Sequence, residues 1–509
     1  MRCMEPTLPP LIHALLDAHR YPDAPQKASR AEWVQTHISW VLLVGEFAYK
    51  IKKPLKLSFL DFSTLALRHA ACLEELRLNR RFAPDIYRDV VGIFNTPQDP
   101  RFEGQDAPIE YAVKMHRFEE TGRLDRVCAR GELLPEHLSS LADTLADFHK
   151  TAAVAPAGSR FGLLDNIATP ALDNFHALPA LLPSAGLQDR LDRLQTWTEA
   201  QLRQLAPLMQ ARKEAGQIRE CHGDLHLANL VLIDQRVRMF DCIEFSDDFR
   251  WIDVASDIAF TYVDLLANHQ PGLANWLVNE FWSRNGDYEA ARLLRFYAVY
   301  RAMVRAKVTA IQSAQTHEDD NKALAYIALA ERLMTPAPVR LVITHGLSGC
   351  GKTVASNAWL QSDAQAPSLR LRSDVERKRL FGLTGPARSG SAFNAGIYTP
   401  QARVRTYARL HELADLLLRA GWSVIVDAAF LKRAERDAFR ALAQNAGAAF
   451  GILAPQATPA QLRERIEARN ARGQDASEAT LEVLAQQMQT LEPLHAAEME
   501  LVIGDPSRR

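Results

Sequence analysis

Residues 346–353 read Gly-Leu-Ser-Gly-Cys-Gly-Lys-Thr, and this run constrains the fold more than any other in the chain. Three glycines within six positions let the backbone turn its N–H groups inward, a conformation that side chains disfavour. A loop of this kind needs a strand to enter it and a helix to leave it. Both are present: Val339-Arg-Leu-Val-Ile-Thr344 is an apolar β-rich run, and helical spacing follows over 352–361. Further strands at 368–372, 423–427 and 449–453 alternate with helices at 401–420 and 433–446, before a helical tail ending in Met499-Glu-Leu-Val-Ile503. Alternation of this sort predicts an α/β domain with a parallel, doubly wound sheet.

The loop also dictates chemistry. Inward-facing N–H groups over Gly346, Ser348, Gly349, Cys350 and Gly351 suit phosphate oxygens, and the N-terminus of the following helix adds a favourable dipole. Lys352 is placed to reach the β- and γ-phosphates of ATP, and the Thr353 hydroxyl to hold Mg²⁺. Asp427, closing an apolar strand, is a candidate carboxylate for the same Mg²⁺. Asp374, expected at the end of the neighbouring strand, would orient or deprotonate a substrate hydroxyl. Either aspartate could instead cap the helix that follows it. Arg465, Arg469 and Arg472 are four and three residues apart, on one helix face. They could close over the transferring phosphate, or form a solvated face paired with Glu464 and Glu467.

Upstream, Leu333-Met-Thr-Pro-Ala-Pro-Val339 is the clearest seam, because proline ends a helix and extends the residue before it. A length of 509 residues exceeds one ordinary core, so domains are expected over 1–335 and 336–509. The first part begins with short strands at Trp33 to His37, Ile38 to Val44 and Phe47 to Lys52, with Gly45-Glu46 as a turn. A helix over Leu65 to Phe82 and strands at Val90 to Phe94 and Ile109 to Met115 follow. From about Leu134 the spacing is helical, interrupted by a β-like patch from Val231 to Ile243. Strands first and helices afterwards predict a two-lobed α+β domain with a cleft.

That cleft has its own chemistry. His222-Gly-Asp-Leu-His-Leu-Ala-Asn229 has the spacing of a kinase catalytic loop, in which Asp224 accepts the substrate hydroxyl proton and Asn229 ligates Mg²⁺. Asp241 follows the apolar run Val237-Arg-Met-Phe240, where a second metal ligand is needed. Phe47-Ala-Tyr-Lys50 is placed as the strand whose lysine pairs with the α- and β-phosphates, and Glu74 or Glu75 would be its helical partner. Lys52 shares the parity of Lys50 and is an alternative. No glycine-rich loop precedes this strand; Thr36-His37-Ile38-Ser39 is the corresponding turn. His222 and His226 read as structural rather than metal-binding.

These motifs support two resemblances. CHGDLHLAN followed by FDCIEF resembles the aminoglycoside phosphotransferase and choline kinase family over about residues 30–310, which implies that Asp257 braces the catalytic loop. LADFHK, residues 145–150, is similar to a helix of that family's C-lobe. GLSGCGKT, RSDVERKRLFG, VIVDAAFLKRAERDAFRALA and RERIEARNARGQDASEA resemble the P-loop kinases that include gluconate kinases, zeta toxins and polynucleotide-kinase-like ATPases, over about 339–503. That resemblance implies Asp374 as base or orienting residue and the arginines of 465–472 as a lid. The whole chain is similar to bacterial proteins that fuse the two.

The implied activity is ATP-dependent phosphotransfer at two sites to hydroxylated small molecules, with a metabolite or sugar preferred. Cationic aminoglycosides favour an acidic pocket, and Asp247, Asp248 and Asp253 lie near the right region, but loop solvation or helix capping is the preferred reading of these acids. Two alternatives are an N-terminal pseudokinase sensor that regulates one active P-loop kinase, and a toxin-like kinase restrained by its N-terminal domain. A net charge of −1 gives no support for nucleic-acid binding. No apolar run is long enough to span a bilayer, and six scattered cysteines without a CxxC pair fit a reducing cytoplasm. Oligomeric state is not legible.

Overall fold

The computed structural model describes residues 8–25, 28–57, 60–182, 186–316, 319–362, 367–385, 387–390, 396–472 and 476–508, apart from the side chains of 315, 316, 472 and 508. Two compact units emerge, each discontinuous in sequence. One comprises Met1–Leu133, Asp147–Thr261 and Val304–Leu324; the other comprises Leu134–Ala146, Tyr262–Met303 and Ala325–Arg509.

In the first unit an antiparallel sheet runs in the order Glu32–Gln35, Ser39–Val44, Phe47–Lys52, Glu110–His116, Tyr87–Thr96, Asp99–Arg101. The central strand Phe47–Lys52 is buried at five of its six positions, and its Lys50 and Lys52 point to the same face. Helix Leu65–Asn79 starts at Thr64, whose side chain accepts the Leu67 N–H, and it packs Cys72 and Leu76 into the cluster formed with Ala48, Val113 and Met115. The β-like patch is a hairpin of Leu230–Ile233 and Arg236–Met239. It follows the loop that contains Asp224 and delivers Phe240 and Asp241 back beside it. Residue 37, expected in the first strand, lies instead in the turn between strands.

In the second unit four parallel strands run in the order Ser368–Arg372, Ser423–Asp427, Arg340–Thr344, Ala449–Leu453. The strand entering the glycine loop is therefore central, and Leu341, Val342 and Ile343 are buried. Helix Pro271–Asn285 covers the open edge of this sheet. Its Asn275 and Asn279 side chains accept the N–H groups of Ser368 at 3.2 Å and Arg370 at 2.8 Å, satisfying donors on the outer side of this edge strand. Trp422 Nε1 donates to the Ala291 carbonyl at 3.0 Å, so residues preceding the proline seam belong to this unit's core.

The helix following Asp374, which the sequence leaves without bounds, runs over Ser373–Leu380. Its buried face carries Glu376 and Lys378 beside Val375, so apolar periodicity gives no signal there. Asp374 accordingly sits in the first turn of this helix, not at the end of the strand. Among the described residues no helix is long and apolar enough to cross a membrane.

Candidate active sites

The N-terminal site is assembled from strand, helix and loop. Lys50 Nζ lies 2.9 Å from Glu75 Oε1 and also contacts Asp241 Oδ1. Lys52 Nζ contacts Glu75 Oε2 and Glu244 Oε1. The sequence left two lysines and two glutamates open; the fold gives both lysines to Glu75, one on each oxygen. Glu74 turns away and pairs with Arg77 and Arg250. Burial opposes the charge on Lys50, but Asp241, Glu75 and Glu244 outweigh it and hold its ammonium well above the ordinary lysine range. Desolvation would raise the Asp241 carboxyl, but Lys50, with Lys52 behind it, lowers it.

Asp241 has a left-handed backbone, φ 62°, unusual for a non-glycine residue. Its N–H donates to the Tyr87 hydroxyl at 3.0 Å, while Phe240 N–H donates to the Asn229 carbonyl at 3.0 Å. Asn229 Nδ2 donates to the Asp224 carbonyl at 2.9 Å and reaches Asp224 Oδ2 at 3.3 Å. An amide nitrogen only donates, so the side-chain oxygen of Asn229 is its candidate metal ligand. Asp224, Asn229 and Asp241, expected together, are brought to one place.

The loop is braced from below. Asp257 accepts the N–H groups of His222 at 3.2 Å and Gly223 at 2.9 Å, and it meets His149 Nε2 at 2.9 Å. Gly223 has φ 86°, and a Cβ there would fall 2.7 Å from the Phe249 carbonyl oxygen. His222 Nε2 contacts the Phe240 carbonyl oxygen at 2.8 Å, tying the loop to the segment that carries Asp241. Burial lowers the pKa of His222 and so favours its neutral ring. His226 lies 3.3 Å from Asp224, a neighbour that sequence spacing did not assign. Burial would raise the Asp224 carboxyl, yet His226 and Arg305 hold it below the usual range.

In place of a glycine loop, the turn before strand Ser39–Val44 is held by threonine. Thr36 Oγ1 accepts the N–H groups of Ser39 at 2.9 Å and Ile38 at 3.3 Å, and Lys53 Nζ donates to the Thr36 carbonyl at 2.5 Å. The acidic trio considered for a cationic substrate is already paired. Asp253 meets Arg212 at 2.7 Å, Asp248 meets Arg160 at 2.9 Å, and Asp247 contacts Arg250.

In the second unit, Thr353 Oγ1 donates to Asp427 Oδ2 at 2.9 Å, joining the first turn of helix Lys352–Ser362 to the adjacent strand end. Gly346, Gly349 and Gly351 all have positive φ. Lys352 Nζ folds back onto the carbonyls of Gly346 at 2.9 Å and Leu347 at 2.7 Å, with Cys350 Sγ 3.8 Å away. Ser348 N–H is taken by Gln487 Oε1 at 2.8 Å, a contact from helix Leu481–Thr490 with no sequence signal.

Arg465 and Arg469 take different partners. Arg465 Nη1 donates to the Gly349 carbonyl at 3.3 Å, whereas Arg469 Nη2 donates to the Ala479 carbonyl at 2.8 Å. The Arg472 side chain lies outside the described residues. Asp374 is paired with Arg377 at 2.9 Å. Its burial is outweighed by Arg377, Arg372, Ser477 and Arg469, which together keep its carboxyl ionised.

Two family models match the chain: residues 66–294 match the phosphotransferase enzyme family, and residues 341–494 match an AAA domain. The protein joins a phosphotransferase-family domain to a P-loop AAA-type domain. An uncharacterized protein of Mycobacterium tuberculosis strain H37Rv is 29% identical over 471 residues, covering 92% of this chain and 91% of its own. A Mycobacterium bovis counterpart gives the same figures. Among solved structures, a choline/ethanolamine kinase family protein from Mesorhizobium loti is 12% identical, covering 64% of this chain and 95% of its own, at a TM-score of 0.39. A putative kinase from Chloroflexus aurantiacus is 22% identical over 31% of this chain and 84% of its own, at 0.25. The phosphotransferase-family and P-loop domains are both kinase-like and indicate ATP-dependent phosphotransfer.

Proposed function

We propose that both domains are ATP-dependent phosphotransferases acting on hydroxyl groups of small molecules. The observation that carries this reading is the convergence of Lys50, Glu75, Asp224, Asn229 and Asp241, four of them charged and drawn from four separate stretches of chain. In the N-terminal site Asp224 would accept the proton of the substrate hydroxyl as that oxygen takes the terminal phosphoryl group and ADP departs. A carboxylate held strongly ionised is a weak base, so its larger contribution is to orient the hydroxyl. Lys50 would bind the α- and β-phosphates while Glu75 keeps it in position. Asn229 and Asp241 would hold Mg²⁺, which when bound neutralises phosphate charge.

In the P-loop domain, Lys352 and the loop N–H groups would bind the triphosphate, Thr353 and Asp427 would hold Mg²⁺, and Asp374 would orient the acceptor. Arg465 and Arg469 would contribute charge beside the transferring group, with Arg472 on the same helix. The ion-paired state of Asp247, Asp248 and Asp253 supports a neutral metabolite or sugar over a cationic substrate at the N-terminal site.

The threonine-held turn at Thr36–Ser39 favours a second reading, in which the N-terminal domain senses a nucleotide without turning it over. Separate Asp224→Ala and Lys352→Ala variants distinguish the two. Each is expected to lose part of the ADP released with a panel of sugars, polyols, nucleosides and aminoglycosides. Loss with Lys352→Ala alone, with Asp224→Ala folded, would overturn the two-site reading.

A further inference from the structure

We propose that Lys52 and Glu244 are positioning residues for metal binding by Asp241. This rests on reading the N-terminal site as a Mg²⁺–nucleotide site.

Lys50 contacts both Glu75 and Asp241. For Asp241 to take a cation, Lys50 must release it and turn to phosphate, and Glu75 must not follow. Lys52 prevents that movement: it is wholly buried, holds the second oxygen of Glu75, and reaches Glu244 as well. Glu244 stands three residues after Asp241, so the pair fixes the segment Asp241–Glu244 against strand and helix together. Other anchors act on the same segment. Cys242 N–H donates to Asn79 Oδ1 at 3.0 Å, Ile243 N–H donates to the His222 carbonyl at 3.1 Å, and Arg250 Nη1 donates to the Glu244 carbonyl at 3.2 Å. Asp241 keeps its left-handed backbone inside this frame. Such a conformation persists only where the surroundings over-determine it.

Stability alone does not account for the pair. A buried ion pair is often no better than apolar residues of the same volume, and what it supplies instead is a fixed register between elements. Here the elements are the phosphate-lysine strand, the Glu75 helix and the metal-binding segment.

The test uses the full chain carrying Lys352→Ala, which silences the P-loop site, and titrates Mg²⁺ against binding of AMP-PNP. Lys52→Met combined with Glu244→Gln is expected to raise the Mg²⁺ half-saturation about 10–100-fold. Binding of AMP-PNP in chelator is expected to stay within about twofold of the parent, which a general structural defect would not allow. A folded double variant with the parent's Mg²⁺ half-saturation overturns the proposal. If removing both charges unfolds the chain, Lys52→Arg keeps the charge but displaces the contact; the same shift is expected, and an unchanged value overturns the proposal equally. Absence of any Mg²⁺-dependent binding in the Lys352→Ala parent is a different failure. It removes the nucleotide-site reading itself, and the role of the pair with it.

Discussion

Lys50 and Glu75 meet at 2.9 Å, and the second Glu75 oxygen is held by Lys52, so one carboxylate serves two ammonium groups two residues apart on a single strand. Each lysine carries a further acid: Asp241 for Lys50 and Glu244 for Lys52. Both lysines are buried, and what distinguishes them is the further acid that each one meets.

Replacing Lys50 by Met in the Lys352→Ala chain should weaken AMP-PNP binding by about 1.5–3 kcal/mol, the worth of hydrogen bonds to a charged group, or roughly ten- to hundredfold. Equilibrium dialysis with labelled nucleotide measures it. An affinity equal to the parent's would exclude Lys50 from the phosphate site.

Gly349 has φ 85°, and an added Cβ would lie 2.9 Å from the Leu462 carbonyl oxygen, a backbone atom that cannot step aside. Gly349→Ala should therefore cost at least about 1–2 kcal/mol from the left-handed backbone alone and disturb the phosphate loop. Thermal unfolding and nucleotide affinity should fall together. Gly447→Ala is the control: its φ is 65° but its Cβ meets nothing within 4 Å, so it should destabilise without affecting nucleotide.

Arg436 is 1% exposed and binds Glu498 through Nε at 2.6 Å and Nη2 at 3.0 Å. It also donates to the carbonyls of Phe430 and Glu492, joining helix Arg433–Asn445 to the C-terminal segment. Arg436→Met leaves Glu498 buried without its partner and should destabilise the second unit by about 3–5 kcal/mol. Urea unfolding read from tryptophan fluorescence checks this.

The same pair gives a pH dependence. Burial would raise the Glu498 carboxyl, but Arg436 and the His495 backbone lower it from 4.5 to about 2. A depressed carboxylate stabilises the fold fully above its unfolded pKa, and that contribution is lost as pH falls through its folded value. The stability gap between the parent chain and Glu498→Gln should hold above about pH 5 and shrink between about pH 4.5 and 2. A gap independent of pH would mean that the carboxylate is not the stabilising species.

Much of both sites is legible without coordinates because their chemistry is packed into short runs. Gly346 to Thr353 is eight consecutive residues, and Asp224 to Asn229 is six. Local backbone geometry sets the relation of residues so close, so spacing alone identifies the loops. The bounds of helix Ser373–Leu380 were not legible because its buried face is charged: Glu376 contacts Arg379 and Tyr288, and Lys378 binds Glu478 at 3.0 Å. A search for apolar periodicity passes over a face whose burial is achieved by ion pairing.

The sequence by itself determined the glycine loop between strand and helix, the short run from Asp224 to Asn229 with Asp241 after it, and the parallel sheet of the second part. These follow from glycine freedom, fixed short spacings and the alternation of strand and helix. Only the tertiary structure decided that Glu75 serves both lysines, that Glu244 closes the buried charge chain, and that Gln487 occupies the Ser348 N–H. Those partners stand 23 to 192 residues apart. No local rule relates residues at such separations; desolvation compels each buried charge or donor to find a partner, and packing determines which one is within reach.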